Sequence, residues 1–175
     1  VDKNMKEVPR DGKTAGEIVT RAPWVTKEYF KDAEKTAELW RGGWLHTGDL
    51  GFIDEHGYLH ISDREKDVVK SGGEYIPTLV LEDAISDNER VGEVAVVAMP
   101  SDKWGERPVA FVVKKGDITE EEIKAHLQKY VDSHRIEKWW IPDKVIFVDS
   151  LPKTSTEKAD KKVLREHLQT YLKSP

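Results

Sequence analysis

Apolar positions along this chain follow two spacings. Short β-branched runs at Val94–Met99 and Val109–Val113 have the length and composition of buried strands. Ile123, Leu127 and Tyr130/Val131 recur at helical spacing, behind Thr119 as N-cap and Glu122 three residues on, the pattern of a capping box. Val163, Leu164, Leu168 and Leu172 predict an inward stripe on a helix over Ala159–Leu172. Pro77 suits the first turn of a helix over Pro77–Asn88, and Asp67–Ser71 and Val145–Val148 read as further strands. Up to about Ser62 the pattern breaks into turns and short strands. A strand over Ala15–Arg21 follows the Asp11-Gly12 turn, and a helix over Thr26–Trp40 is expected to stop at Gly42-Gly43. Leu50–Ile53 and Tyr58–Ile61 flank Asp54-Glu55-His56-Gly57, a hairpin signal with Gly57 free to take positive φ. This mixed order of strands and helices predicts an α+β fold rather than a doubly wound sheet: a β-rich part over residues 1–63 and a small mixed α/β part over 64–175.

Composition narrows the function classes. The chain has 175 residues, enough for one ordinary domain or two small ones, and 38% are hydrophobic, enough for a packed core. No run approaches the roughly 18 apolar residues of a membrane span. There is no cysteine, which removes disulfides, zinc–thiolate sites and cysteine nucleophiles, and fits a reducing compartment such as the cytoplasm. The polar start, VDKNMKEVPRDGK, is not a signal peptide and lacks an initial Met, so a chain cut or processed from a longer one is expected. A net charge of −5 argues against nucleic acid as a partner. The charge is uneven: Lys153–Pro175 holds six Lys/Arg against three Asp/Glu. That excess reads equally as a solvated helix face or as a surface turned to an anion.

Three clusters carry candidate chemistry. In Gly43-Trp44-Leu45-His46-Thr47-Gly48-Asp49 a carboxylate beside a glycine can accept two hydrogen bonds from a vicinal diol such as a ribose; on residue types alone a plain turn is the stronger reading. In Ser62-Asp63-Arg64-Glu65-Lys66-Asp67-Val68-Val69-Lys70-Ser71-Gly72-Gly73-Glu74-Tyr75, a strand would set Lys66, Val68 and Lys70 on one face. The two glycines would let another molecule approach the backbone. A charged hairpin edge closed by a glycine turn explains the same residues. In Leu151-Pro152-Lys153-Thr154-Ser155-Thr156-Glu157-Lys158 a polar loop joins a strand to the last helix and presents lysines that solvent alone could account for.

Taken in order, these clusters resemble the adenylate-forming superfamily of acyl-CoA synthetases, luciferases and peptide-synthetase adenylation domains. The resemblance runs through Asp11-Gly12-Lys13, Gly16-Glu17-Ile18, Trp-Leu-His-Thr-Gly-Asp, Ser-Asp-Arg-Glu-Lys-Asp, Ser-Gly-Gly-Glu, Trp104-Gly105-Glu106-Arg107-Pro108 and Leu-Pro-Lys-Thr-Ser, nearly the whole chain. Ser71-Gly72-Gly73-Glu74-Tyr75, Lys103–Pro108 and Trp139/Trp140-Ile141-Pro142-Asp143 look most like medium- and long-chain fatty-acid–CoA ligases. The resemblance implies an enzyme that makes an acyl-adenylate from ATP and a fatty or other carboxylic acid and then an acyl-CoA thioester. Residues 1–63 would end the large N-terminal domain and residues 64–175 would form its mobile C-terminal lid.

Residue by residue, the resemblance implies that Asp49 and Arg64 meet the ribose, and that Lys66, Lys70 and Tyr75 lie near the nucleotide. Lys66 would also be the hinge. Gly72, Gly73 and Glu74 would line the CoA path, and Lys158 would be the catalytic lysine bridging carboxylate and α-phosphate oxygens. The ATP loop and the Mg2+ site of the family fall outside this sequence, so the chain alone is expected to be inactive, with a homodimer formed, if at all, through the large domain. Where the family usually has glycine before the lysine, this chain has Glu157, which resists positive φ and sets a carboxylate beside Lys158. An adenylation domain serving a carrier protein and a non-catalytic binding fragment are the alternatives.

Overall fold

The structure, a computed structural model, describes residues 1–173. It divides into two compact units, Val1–Lys66 and Asp67 onward, a boundary three residues past the expected 63/64 division.

In the first unit β1 (Gly16–Thr20), β2 (Leu45–Ile53) and β3 (Leu59–Arg64) form an antiparallel sheet in the order β1-β2-β3. The β2–β3 hairpin forms where the turn residues place it. Gly57 takes φ +86° and donates to the Asp54 carbonyl at 3.0 Å, while Asp54 Oδ1 accepts the amides of His56 and Tyr58 at 2.9 Å each. The His60 ring, 2.8 Å from Oδ2, and those amides hold the Asp54 carboxyl below the usual carboxylate range. The helix expected over Thr26–Trp40 is shorter: α1 spans Ala33–Leu39. Lys31 at φ +52° breaks the backbone, and the Asp32 carboxylate then caps the helix by accepting the Lys35 amide at 3.0 Å.

The second unit is built on a five-stranded sheet. β4 (Val69–Ser71), β5 (Glu74–Ile76), β6 (Val91–Ser101) and β7 (Gly105–Lys114) pair antiparallel in the order β5-β4-β7-β6, and β8 (Lys144–Phe147) runs parallel to β7 on its other side. Both faces of the β6–β7 ladder are buried, which is why these strands read as unbroken apolar runs. Val96, Ala110 and Val112 face the side covered by α2 (Thr78–Ser86) and α3 (Glu120–Asp132), against Leu81, Ile85, Ile123 and Leu127. Ala95, Val97, Val109 and Phe111 face Leu151 and the last helices, through Leu164 and Leu168. β6 is an edge strand, and Glu82 of α2 covers that edge by accepting the Val96 amide at 2.7 Å. Glu82 also pairs with Lys161 at 2.7 Å.

The capping box of α3 is complete in both directions, Glu122 N–H to Thr119 Oγ1 at 3.3 Å and Thr119 N–H to Glu122 Oε2 at 2.9 Å. Three expectations change. The helix over Ala159–Leu172 is two, α4 (Lys161–Glu166) and α5 (Leu168–Lys173), broken at His167 and capped by Asp160 rather than begun at Ala159. Tyr171 then sets its ring edge-on to Phe111, centroids 5.0 Å apart. Strand β5 has no apolar run to announce it, because two of its three residues are exposed and only Ile76 is buried. Residues 65–68 form a turn rather than a strand, so Lys66, Val68 and Lys70 do not share a face: Val68 is buried and both lysines are exposed.

If α3 is pinned by its stripe, Leu127→Ala should destabilise the second unit by about 2–5 kcal/mol. Leu79→Ala, on the exposed side of α2, should cost under about 1 kcal/mol. Chemical denaturation followed by tryptophan fluorescence separates the two.

Candidate functional site

Within the first unit the sheet brings Asp49 and Arg64 together. They are register partners across β2 and β3, and Arg64 Nε lies 3.4 Å from Asp49 Oδ1. Both are partly exposed, and so loose a surface pair contributes little to stability. Gly48, at φ +71° with nothing near a would-be Cβ, turns the strand between His46 and Asp49. Thr47 braces that turn by donating to the Ile18 carbonyl at 2.8 Å and accepting the Asp49 amide at 3.1 Å. Sequence reasoning missed Glu17 and His46, whose side chains meet at 2.7 Å under the same turn. Gly16-Glu17-Ile18 and His46 lie 29 positions apart, and no local pattern links them.

Among the described residues no side-chain bond holds Lys66, but its neighbours are held. Glu65 N–H donates to the Gly48 carbonyl at 2.9 Å, inside the first unit. Asp67 Oδ1 accepts from Arg165 of α4 at 2.8 Å, inside the second.

The Ser-Gly-Gly-Glu segment is a two-residue hairpin joining β4 to β5, with Ser71 opposite Glu74. Gly72 and Gly73 take φ +60° and +89°, as a turn with two left-handed central residues demands. Lys70 and Tyr75 are register partners on this hairpin and both are exposed, so the structure sets them side by side. Gly72 N–H donates to the Trp104 carbonyl at 2.8 Å, and a Cβ at Gly72 would stand 3.2 Å from the indole. Glycine here lets the hairpin lie against Trp104. Between them opens a cleft of about 520 Å³, lined by Gly72, Glu74, Trp104, Arg107 and Trp139 among others. The Arg107 guanidinium is nearly buried and fully engaged, with Asp143 at 2.8 Å, Ser71 Oγ at 3.3 Å and the Ile141 carbonyl at 3.4 Å. Sequence reasoning gave Arg107 no role; its place is the floor of this cleft.

Leu151–Asp160 folds back as a small hairpin, with Lys153 bridged to Ala159. Thr154 and Lys158 close it, Thr154 N–H to the Lys158 carbonyl at 2.8 Å, and Glu157 N–H returns to the Thr154 carbonyl at 3.0 Å. A loop of this length needs a left-handed residue last, and Glu157 supplies it at φ +61°. The carboxylate does not capture its neighbour: among the described residues Lys158 makes no ion pair, and it is exposed. Lys153 is engaged by Glu93 and Lys161 by Glu82 and Thr78, so Lys158 is the uncommitted cation of this hairpin. Among the described residues no group of His, Asp and Glu could hold a metal, and no helix is long and apolar enough to cross a membrane.

Residues 80–158 match the family described as the AMP-binding enzyme C-terminal domain. The chain carries the C-terminal domain of the AMP-binding enzymes. It is 42% identical over 172 residues, 97% of its length, to a long-chain-fatty-acid–CoA ligase of Thermus thermophilus, of which it covers 31%. It is equally 42% identical, over 153 residues, to a 2-succinylbenzoate–CoA ligase of Bacillus cereus, again covering 31% of that enzyme. Among solved structures, ATP-bound MatB of Rhodopseudomonas palustris superposes with TM-score 0.82 at 37% identity, over 97% of this chain and 33% of MatB. The amide bond synthetase McbA of Marinactinospora thermotolerans gives 0.82 at 32%, over 94% of this chain and 33% of McbA. The chain therefore spans about a third of the length of the relatives it matches.

A left-handed backbone costs a residue with a Cβ about 1–2 kcal/mol, and glycine's extra chain entropy gives back about 0.5–1. Glu157→Gly should therefore stabilise the second unit by about 0.5–1 kcal/mol, whereas Glu157→Ala, which keeps a Cβ, should not. Thermal melts of the two variants make the comparison.

Proposed function

We propose that the full-length protein is an AMP-forming acid–CoA ligase. A carboxylate oxygen of the acid attacks the α-phosphorus of ATP, the bond to pyrophosphate breaks, and an acyl-adenylate forms. The sulfur of CoA then attacks the acyl carbon, AMP leaves, and the thiol proton passes to solvent. ATP is used with Mg2+, whose ligands belong to the rest of the protein.

One observation carries this reading. The two chemistry-bearing loops of the second unit attach at opposite ends of one rigid ladder. The Lys158 hairpin is tied to Glu93, and the Gly72-Gly73 hairpin packs beside Ser101–Gly105. Glu93 and Ser101 stand eight residues apart on β6, about 26 Å at roughly 3.3 Å per residue. A unit with a free cation at one end and a glycine-walled cleft at the other suits two half-reactions served in turn. In the first, Lys158 places positive charge where negative charge gathers on the carboxylate and phosphate oxygens. In the second, Gly72, Gly73 and Glu74 border the path of the CoA arm, with Trp104 as its wall. Asp49 and Arg64 take the ribose hydroxyls, which compete for their loose mutual contact. Lys70 and Tyr75 face the nucleotide from the β4–β5 hairpin. Lys66, between two anchored neighbours, is the hinge.

The acid is a fatty acid on this reading, supported by the Thermus relative and by the Lys103–Pro108 and Trp139–Asp143 segments. The succinylbenzoate ligase at the same identity supports an aryl acid as the second reading. A panel of fatty and aryl acids in pyrophosphate exchange by the full-length enzyme decides between them.

Lys158→Ala in the full-length protein should slow adenylate formation by about a hundredfold or more. Thioester formation from preformed acyl-adenylate should change far less; an equal fall in both would make Lys158 structural. Lys66→Pro, with φ held near about −65°, should leave adenylate formation near normal and depress transfer to CoA. Normal transfer would remove the hinge from Lys66.

A further inference from the structure

The stretch from His46 to Asp49 lies where the sheet of the first unit is irregular. The β1–β2 register slips between Glu17 and Val19: Glu17 stands opposite Leu50 and Val19 opposite His46. Thr47, Gly48 and Asp49 therefore bulge past Ile18, and a bulge forfeits regular ladder bonds. Side chains replace them. Glu17 Oε1 accepts the Gly48 amide at 3.3 Å, and Glu17 Oε2 meets His46 Nδ1 at 2.7 Å. His46 Nε2 in turn lies 3.0 Å from the Arg41 carbonyl, and the Arg41 guanidinium is 3.6 Å from Glu17. The Glu17 and His46 side chains are only 13% and 9% exposed, so this is a nearly buried carboxylate whose bonds are spent on the bulge and its neighbour. A carboxylate taken out of water is costly unless fully partnered. Here the partners are the histidine preceding the bulge, the amide one residue before Asp49 and, at longer range, the Arg41 guanidinium.

We propose that Glu17 and His46 are positioning residues for the Asp49 carboxylate, setting nucleotide affinity without touching the nucleotide. The inference rests on the assignment of Asp49 to the ribose hydroxyls. Glu17 fixes the Gly48 amide, Gly48 sets the direction in which the chain presents Asp49, and His46 fixes Glu17. The slack is small because Thr47 already holds the Asp49 amide, so what Glu17 decides is the rotation of the Gly48 peptide.

The test uses pyrophosphate exchange by the full-length enzyme with four forms: the parent, Glu17→Gln, Asp49→Ala and the double variant. Gln keeps the shape and an acceptor for Gly48 but removes the charge facing His46. Glu17→Gln is expected to raise KM for ATP about tenfold, the scale of one coupled contact, with a much smaller fall in kcat and no change in KM for the acid. In the Asp49→Ala background it should add nothing to KM for ATP. An unchanged KM for ATP, an undiminished effect on top of Asp49→Ala, or a parallel loss in kcat and melting temperature alone overturns the inference. If Asp49→Ala itself leaves KM for ATP unchanged, the ribose assignment falls and the inference with it, and that single variant shows which failed first. Should Glu17→Gln not fold, His46→Gln, which leaves the Glu17–Gly48 bond in place, runs through the same cycle with a smaller rise expected and the same outcomes overturning it.

Discussion

The β6–β7 ladder is the constraint on which the second unit depends. Its central residues have no contact with water on either face, so one strand pair serves two hydrophobic layers at once. Neither layer can shift without moving the other, because period-two alternation sends consecutive residues to opposite sides. The glycine hairpin, the lysine hairpin and α4 are all fastened to that frame. The glycine hairpin hangs on the Trp104 carbonyl, the lysine hairpin on Glu93, and α4 on Glu82 and Thr78. Glu82 closes the exposed edge of β6, and its pairing with Lys161 makes the same carboxylate a tie between the sheet and the start of α4.

The first unit solves a different problem with different means. Its sheet is three strands with an irregular register on both sides of β2, and large apolar side chains such as Trp24, Phe30 and Ile61 stand exposed. Local precision comes from polar bonds instead. Asp54 organises one turn, and Glu17 and Thr47 together organise another, each with a carboxylate or hydroxyl oxygen accepting an amide the ladder leaves unpaired.

How much of this was legible in the sequence follows from how local each signal is. The buried strands announced themselves because burial on both faces removes alternation. The α3 cap and the Asp54–Gly57 turn were readable because cap and turn chemistry act within four residues. The α1 boundary was not, because Lys31 adopts a left-handed backbone that its residue type disfavours. Nor was β5, where pairing imposed by two glycines outweighs the strand's own composition. Among the site residues, the glycine hairpin and Lys158 stood out as motifs. Arg165 with Asp67, 98 positions apart, and Glu17 with His46 are pairings that only the folded chain creates. Glu157 was legible as an anomaly, and the backbone takes the glycine-like conformation regardless.

The anchoring on either side of Lys66 has a consequence of its own. Glu65 is bonded to Gly48 within the first unit and Asp67 to Arg165 within the second, so Lys66 stands between two anchored neighbours. A residue bearing a side chain does not sweep its backbone torsions smoothly, since steric exclusion leaves it a few separate basins. On the proposed hinge, a change of backbone conformation at Lys66 is a jump between basins rather than a glide. A hinge of that kind would act as a detent, the identity of a single amino acid setting how many stops it has.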